Sequence, residues 1–171
     1  MLKLEQEKIQ ISNLSQCDHW LPTVTLWHHQ EWLKASSLPQ DHPDNETKFQ
    51  ERKCALQAHL GSHRLPVTFV AHNNEEPIGT VSLVYYNVRD DQAPSEWLSN
   101  LYVLPKYRQQ GIASELLNVV VAHAQSLGLQ RLFLYTRDQT DFYMKRNWRF
   151  LTYGTVQKQR VSVLDYLLTT Q

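Results

Sequence analysis

One segment constrains the fold more than any other, because it places a helical pattern between two strand patterns. Residues 96–104 (EWLSNLYVL) favour extended backbone and are followed by Pro105, and residues 129–136 (LQRLFLYT) have the same strand character. The intervening residues 111–127 repeat apolar side chains at helical spacing, and Gly128 is expected to end that helix. If the two strands are parallel, this strand, helix and strand unit of about 40 residues predicts a right-handed crossover.

The rest of the chain adds helical patterns before this unit and strand patterns on both sides of it. We predict two helices in the N-terminal third, with Gly61 as the stop of the second, then a β-hairpin, and after the crossover a short helix and two strands. The predicted ranges are 18–34 and 47–60 for the first helices, 65–72 and 78–88 for the hairpin, 140–146 for the short helix, and 148–156 and 160–168 for the last strands. This order predicts an α/β fold with a mixed sheet flanked by helices, in a single domain over residues 1–171.

The charge balance bears on the class of partner. The chain has 17 basic and 17 acidic residues and a pI near 7.1, so it has no overall attraction for nucleic acid or anionic lipid. We therefore expect no nucleic-acid partner and no membrane partner, and the lack of a long apolar stretch favours a cytoplasmic protein. Cys17 and Cys54 have no C-x-x-C partner, which favours buried reduced thiols, and no Cys/His motif predicts a metal site.

The loop before the central helix, YRQQGIASELL, has the features of an anion site. The first turn of a helix has backbone N–H groups without intrahelical partners, at the positive end of the helix dipole. Gly111 leaves the backbone approachable, and Ala113 and Ser114 are small. Arg108 supplies positive charge within residues 105–114, which contain no carboxylate. The loop is predicted to hold a pyrophosphate, although it matches neither the Walker nor the Rossmann glycine pattern; the alternative is that Gly111 only turns the chain into the helix.

The segment around this loop, LYVLPKYRQQGIASELL, resembles the acetyl-CoA-binding motif of the GCN5-related N-acetyltransferase (GNAT) family. That motif is Gln or Arg, any two residues, Gly, any residue, then Gly or Ala, and here Arg108, Gly111 and Ala113 stand at the three defined positions. A later segment, FLYTRDQTDFYMKRNW, resembles the family's strand and helix with a phenylalanine and tyrosine pair, and the order of elements matches from about residue 8 to residue 168. Two positions depart from the family pattern, because Asn147 replaces a turn glycine and Thr136 replaces a frequent asparagine.

The resemblance implies a GNAT-like sheet, mixed but mostly antiparallel, in which the fourth and fifth strands splay apart to admit the pantetheine arm of acetyl-CoA. Acetyl-CoA would be the co-substrate. Main-chain groups of Leu101, Tyr102 and Val103 would bind the pantetheine amides in the manner of an added strand. The pyrophosphate would be held by the loop and the first helical turn, formed by Arg108, Gln109, Gln110, Gly111, Ile112, Ala113 and Ser114.

Acetyl transfer to an amine needs a polarised thioester carbonyl, a donor near the departing thiolate and removal of a proton from the amine. The resemblance places the hydroxyl of Tyr143 at the sulfur of the cofactor, as general acid. An aromatic side chain at this position could instead only pack the last helix on the sheet. The backbone N–H of Val103, at the splay, is the expected polariser of the carbonyl.

A carboxylate or water must act as the base. Glu96 opens the fourth strand, and alternation would put it on one face with Leu98, Asn100 and Tyr102, toward the acceptor side of the cleft. The alternative is that Glu96 is a solvated charge at the end of a strand. Weaker candidates for contact with a cationic amine are Glu31, Asp90 and Asp91.

Together these features predict an N-acetyltransferase that moves the acetyl group of acetyl-CoA to the primary amine of a small molecule or a peptide, by direct attack in a ternary complex. Two alternatives remain open at this point. One is a catalytically inactive module that binds acyl-CoA as a sensor or regulator, and the other is a structural interaction domain that does not bind CoA. The resemblance also allows a homodimer.

Overall fold

The structure is a computed structural model that describes residues 8–36, 38–61, 64–86 and 95–168. Within these residues, seven strands form one sheet: β1 (Gln10–Asn13), β2 (Val67–His72), β3 (Pro77–Tyr86), β4 (Ser95–Val103), β5 (Arg131–Thr136), β6 (Arg149–Val156) and β7 (Gln159–Leu167). The α-helices are α1 (Leu21–Ser36), α2 (Asp44–Gln57), α3 (Ile112–Ser126) and α4 (Thr140–Met144), and short 3-10 helices cover Leu14–Gln16, Asp18–Trp20 and Pro105–Tyr107. No helix of the described residues has the length and apolar character needed to cross a membrane.

The strand order is β1-β2-β3-β4-β5-β7-β6, and the parallel pair in it is β4 with β5. The other neighbours are antiparallel. Helix α3 connects the parallel pair, so the predicted strand, helix and strand unit and the mixed, mostly antiparallel sheet are confirmed. Strand β1 was not predicted, because four residues are too few to display a period of two.

The sheet opens between its two parallel strands. In the parallel ladder of β4 and β5, Trp97 pairs with Phe133, near the start of both strands. No pairing between these two strands is found toward their C-terminal ends. In β4, Asn100 has a φ of 57°, and the register with β3 shifts between Thr80 and Ser82. An extra residue on one strand with a left-handed conformation is a β-bulge, which bends the strand. The predicted splay is therefore confirmed, and a bulge in β4 accompanies it.

The bulge also reverses which side chains of β4 face each side of the sheet. Before it Leu98, and after it Leu101 and Val103, belong to the core beneath α3. Tyr102 instead belongs to the core beneath α1, with its ring 5.4 Å from that of Trp27. The prediction that Glu96, Leu98, Asn100 and Tyr102 share one face is therefore wrong, because regular alternation fails at the bulge.

The two helices of the N-terminal third differ in how much they bury. Trp20, just before α1, and Val24 and Trp27 within it are buried beside β2. Helix α2 is largely exposed apart from Leu56, and it ends at Gln57 rather than at Gly61.

Cys17 and Cys54 are both free cysteines, as predicted. Cys17 is buried, whereas Cys54 lies on the exposed part of α2, so the expectation of two buried thiols is wrong for Cys54.

Gly128 follows α3 with a φ of 73°, which confirms its predicted role as the stop of that helix.

The half of the sheet beyond the splay is held together by a buried carboxylate. Asp165 on β7 is fully inaccessible, and its carboxylate accepts hydrogen bonds from Arg149 on β6 at 2.8 Å and from Arg131 on β5 at 2.7 Å. These bonds hold the pKa of Asp165 below its usual value. Because the folded state favours the carboxylate, this contribution to stability is present at neutral pH and is lost as acid protonates Asp165.

We predict that Gly79→Ala destabilises the protein where β3 meets the end of β4. A Cβ at position 79 would lie 2.8 Å from the carbonyl oxygen of Tyr102 and 3.3 Å from Cγ2 of Val103. Since the nearer atom is backbone, β4 must shift, and we expect the free energy of unfolding to fall by about 1–3 kcal/mol in chemical denaturation. Gly154→Ala on β6 is the matched control, because its Cβ would meet Val163 at 3.5 Å, an ordinary contact. Equal stability losses in the two variants would contradict the prediction.

Candidate active site

Two cavities adjoin beside the splay. The first, here called the loop cavity, has a volume of about 580 Å³ and lies between the end of β4, the loop before α3, the start of α3 and α4. The second, here called the α1 cavity, has about 430 Å³ and lies between α1, the middle of β4 and the end of β5. The residues that line both cavities are Glu31, Leu101, Tyr102, Asp138, Gln139 and Tyr143. Tyr143 is therefore at the place where the cavities meet.

The loop before α3 presents backbone donors to the loop cavity. Gly111 is the N-cap of α3 with a φ of 81°, and no side chain caps the helix. The first bond of the helix runs from the Glu115 N–H to the Gly111 carbonyl at 3.1 Å, so the amides of residues 112–114 have no intrahelical acceptor. A Cβ at Gly111 would meet nothing within 4 Å, so glycine is favoured here by the left-handed conformation rather than by lack of space. Gln109 is also left-handed, with a φ of 62°.

The predicted loop residues reach this cavity with one exception. Those that line it are Arg108, Gln109, Gly111, Ile112, Ala113 and Ser114. Gln110 does not line it. Ile112 is buried in the core beneath α3, so it offers the cavity its main chain rather than its side chain.

Arg108, which is predicted to supply positive charge, also makes a contact that the sequence did not indicate. Its Nε donates a hydrogen bond of 2.8 Å to the carbonyl of Val103, and its guanidinium lies 5.6 Å from the centre of the Tyr102 ring. The side chain therefore ties the loop to the end of β4. It also occupies the one carbonyl that Val103 would otherwise present to the opening in the sheet.

The loop sequence contains no carboxylate, but a carboxylate from another part of the chain lies beside it. Glu76, in the turn between β2 and β3, lies 3.3 Å from Lys106 and accepts a hydrogen bond from the Tyr107 hydroxyl. These contacts, the tyrosine bond first, lower the pKa of Glu76. Lys106 is therefore paired, which the sequence did not reveal because Glu76 belongs to a distant turn.

A second cation at the start of α3 was missed from the sequence. The Nε of Arg146 donates to the Ser114 hydroxyl at 2.9 Å, and its Nη1 donates to the Phe142 carbonyl at 2.8 Å. Its guanidinium lies 3.7 Å from the centre of the Phe142 ring. Arg146 follows α4, and its distance in sequence from Ser114 left no pattern that could have indicated the contact.

The main chain of β4 divides its donors between β3 and the opening. The Leu104 N–H bonds to the Ile78 carbonyl at 2.9 Å on the β3 side. The N–H and C=O groups of successive residues in a strand point in alternate directions in the plane of the sheet. The main-chain groups of Val103 and Leu101 therefore point toward the opening, and those of Tyr102 point toward β3. The carbonyl of Tyr102 does lie beside Gly79 on β3. Of the three predicted strand residues, Leu101 and Val103 thus have main-chain groups directed at the opening, and Tyr102 lines the cavities in another way.

Tyr143 is held as a buried phenol. Its side chain is 8% exposed, and its ring makes edge contacts with Phe142 and Trp148. Burial raises the pKa of Tyr143 to about 12, so the hydroxyl stays protonated at neutral pH. The turn after it is closed by a bond from the Trp148 N–H to the Tyr143 carbonyl at 3.2 Å. Asn147 has a φ of 72° in that turn, which confirms that asparagine adopts the left-handed conformation here.

The predicted base does not reach either cavity. Glu96 lies before the bulge, in line with Leu98 and the core beneath α3, and it lines neither cavity. Two other carboxylates line both: Glu31 on α1, which bonds to Lys34 at 2.9 Å, and Asp138 in the loop after β5, which is exposed. Asp90 and Asp91 lie outside the described residues. Within the described residues, no group of three or more His, Cys, Asp or Glu side chains is placed to hold a metal ion.

Solved structures with the same fold were found. An acetyltransferase of the GNAT family from Streptococcus pneumoniae has 19% identity and a TM-score of 0.62, over 95% of this chain and 100% of its own. The yncA protein of Salmonella typhimurium, solved with its cofactor acetyl-CoA, has 14% identity and a TM-score of 0.68, over 96% of each chain. A chain of the NatC complex bound to Gag peptide and CoA has 15% identity and a TM-score of 0.63, over 95% of this chain and 99% of its own. At these identities the likeness establishes the fold.

No curated protein sequence matches the chain. The model of the acetyltransferase (GNAT) family matches residues 25–149, which is more than two thirds of the sequence. This span begins within α1 and ends at the start of β6, so it includes the splayed strands, the loop before α3 and Tyr143. The chain therefore belongs to the GNAT acetyltransferase family.

Proposed function

We propose that the protein transfers the acetyl group of acetyl-CoA to a primary amine, by direct attack in a ternary complex. The observation that carries this proposal is the position of Tyr143, a protonated phenol where two cavities meet. A transfer between two substrates needs adjoining compartments with the reacting atoms at their junction. The loop cavity would hold acetyl-CoA, and the α1 cavity would hold the amine.

The loop cavity offers hydrogen-bonding groups that suit acetyl-CoA. Amides of Gln109 and of residues 111–114, at the start of a long helix, would hold the pyrophosphate, and Arg146 adds positive charge beside them. The main chains of Leu101 and Val103 would pair with the pantetheine amides in the opening of the sheet. Structural neighbours solved with acetyl-CoA or CoA support this assignment.

Acetyl-CoA supplies the activated acetyl thioester, and the chain supplies donors around it. The N–H of Val103 points into the opening and would polarise the thioester carbonyl. The hydroxyl of Tyr143 would donate a hydrogen bond to the departing sulfur. Because a thiol has a pKa of about 8.5, well below that of Tyr143, the thiolate is a weak base, and stabilisation by this bond matters more than complete proton transfer.

The amine must lose a proton before it attacks, since an aliphatic amine has a pKa of about 10.4. Glu31 and Asp138 are the carboxylates that line both cavities. Glu31 is already paired with Lys34, whereas Asp138 has only a long contact of 3.4 Å with the neighbouring Gln139 side chain. We assign binding of the ammonium group and removal of its proton to Asp138, directly or through water. Glu96 is not retained in this role.

We predict that Tyr143→Phe lowers kcat by about 100-fold and leaves the affinity for acetyl-CoA unchanged, since the ring remains and only the donor at the sulfur is lost. CoA release with an active amine gives kcat, and a thermal shift with acetyl-CoA gives binding. Tyr153→Phe, at an exposed position of β6, is the control and should retain wild-type activity. Equal losses of binding and turnover would instead assign Tyr143 a structural role. Stabilisation by CoA without acetylation of any amine would favour an inactive acyl-CoA-binding module.

We predict further that Arg108→Gln retains more acetyl-CoA affinity than Arg108→Ala. A glutamine amide can donate to the Val103 carbonyl as the guanidinium does, and loss of that bond should weaken binding by about tenfold. Titration calorimetry with acetyl-CoA measures the difference. If Arg108→Lys keeps full affinity and Arg108→Gln does not, positive charge at the phosphate is the function of Arg108.

A further inference from the structure

The α1 cavity is bounded at the end away from Tyr143. The side-chain amide of Gln159, at the start of β7, donates to the Ala35 carbonyl near the end of α1 at 3.4 Å, and both residues line the cavity. This contact joins the last turn of α1 to the β6-β7 turn across the cavity. With a volume of about 430 Å³, the cavity is at the lower end of the range for small-molecule sites. This volume suits a compact molecule.

One wall of this cavity carries a buried polar side chain without a partner. His28, on α1, is 5% exposed and lines the cavity. Its Nε2 is inaccessible and has no hydrogen-bond partner. No hydrogen bond to Nδ1 is found among the described residues, and Nδ1 is not one of the inaccessible unpartnered atoms, so it is the ring nitrogen that a molecule in the cavity can reach. Burial lowers the pKa of His28 to about 3, so the ring is neutral, and Nδ1 can donate or accept a hydrogen bond according to the tautomer.

The charges around the cavity do not select a strongly charged acceptor. Glu31 and Lys34 are paired at 2.9 Å, whereas Arg137, which donates to the neutral Gln157 side chain at 2.8 Å, keeps its positive charge. Asp138 carries the opposing negative charge of the lining, and it suits the reacting ammonium itself. The described lining residues therefore have balanced charges, with no excess of either sign that would attract a polyamine or a polyanionic acceptor.

We propose that the α1 cavity selects a compact primary amine that carries a second, uncharged hydrogen-bonding group, a hydroxyl or an amide, and that His28 is the residue that binds this group. The proposal rests on the function proposed above and specifies its acceptor. Asp138 would take the amine at the junction with Tyr143, and His28 would take the second group on the α1 wall. In this role His28 determines specificity and does not take part in the chemistry.

The test compares matched acceptors. Short amino alcohols and amino amides are each paired with the alkylamine that has a methyl group in place of the polar group, and spermidine and a lysine-containing peptide complete the panel. We expect the best polar acceptor to exceed its alkyl partner by about tenfold in kcat/KM. In His28→Leu this ratio should fall to about one through a higher KM, with the KM for acetyl-CoA unchanged, and His28→Gln should restore part of it.

His29→Leu is the matched control, because His29 is also on α1 and equally buried but does not line the cavity. It should keep the preference for the polar acceptor. If His28→Leu does not fold, the ring nitrogen signals of His28 in the ¹⁵N-labelled wild type, assigned with His28→Gln, should shift with the best polar acceptor and not with its alkyl partner.

Three results would overturn the proposal while leaving the proposed function intact. They are equal use of the polar and alkyl partners by the wild type, a preference for spermidine or the peptide, and a preference for the polar acceptor that survives in His28→Leu. Failure of every amine, in a protein that acetyl-CoA still stabilises against heat, would overturn the proposed function and this inference together.

Discussion

The divergence of β4 from β5 is the constraint on which the site depends. Two parallel strands joined by a helix normally pair along their length, yet here the pairing is confined to Trp97 and Phe133. The remainder of β4 keeps its bonds to β3 and leaves Leu101 and Val103 with main-chain groups that no strand completes. Such groups are costly unless water or a ligand satisfies them. The opening therefore suits the extended, amide-containing arm of the proposed co-substrate, and Arg108 closes only the Val103 carbonyl at its end.

Most elements of the fold could be predicted because their patterns are local. The apolar period of α3, its stop at Gly128 and the β-branched runs of the hairpin lie within short windows, and each appeared where expected. The bulge at Asn100 could not be predicted, because an asparagine within a strand pattern does not by itself indicate a left-handed backbone conformation. Because of this bulge, Tyr102 lies on the opposite face of the sheet from Glu96. The sequence therefore predicted the wrong face for Glu96 relative to the cavities.

The candidate site divides in the same way. The loop before α3 and Tyr143 line the cavities as the sequence led us to expect, because each candidate group belongs to a single turn or helix. Arg146 beside Ser114, Glu76 beside Lys106, and Asp138 at the junction are brought together by tertiary packing. The spacing of these residues in the sequence does not indicate that they are in contact. His28 is a further case, because a histidine on an apolar helix face has no sequence mark that separates a packed ring from one that lines a cavity.

The contact between Gln159 and Ala35 joins residues 124 positions apart. Closing so long a loop carries a large entropic cost, and contacts of this kind tend to form after local ones. During synthesis, residues 105–114 leave the ribosome before the β6-β7 hairpin does. The wall that this contact gives the α1 cavity is therefore among the last parts of the molecule to form.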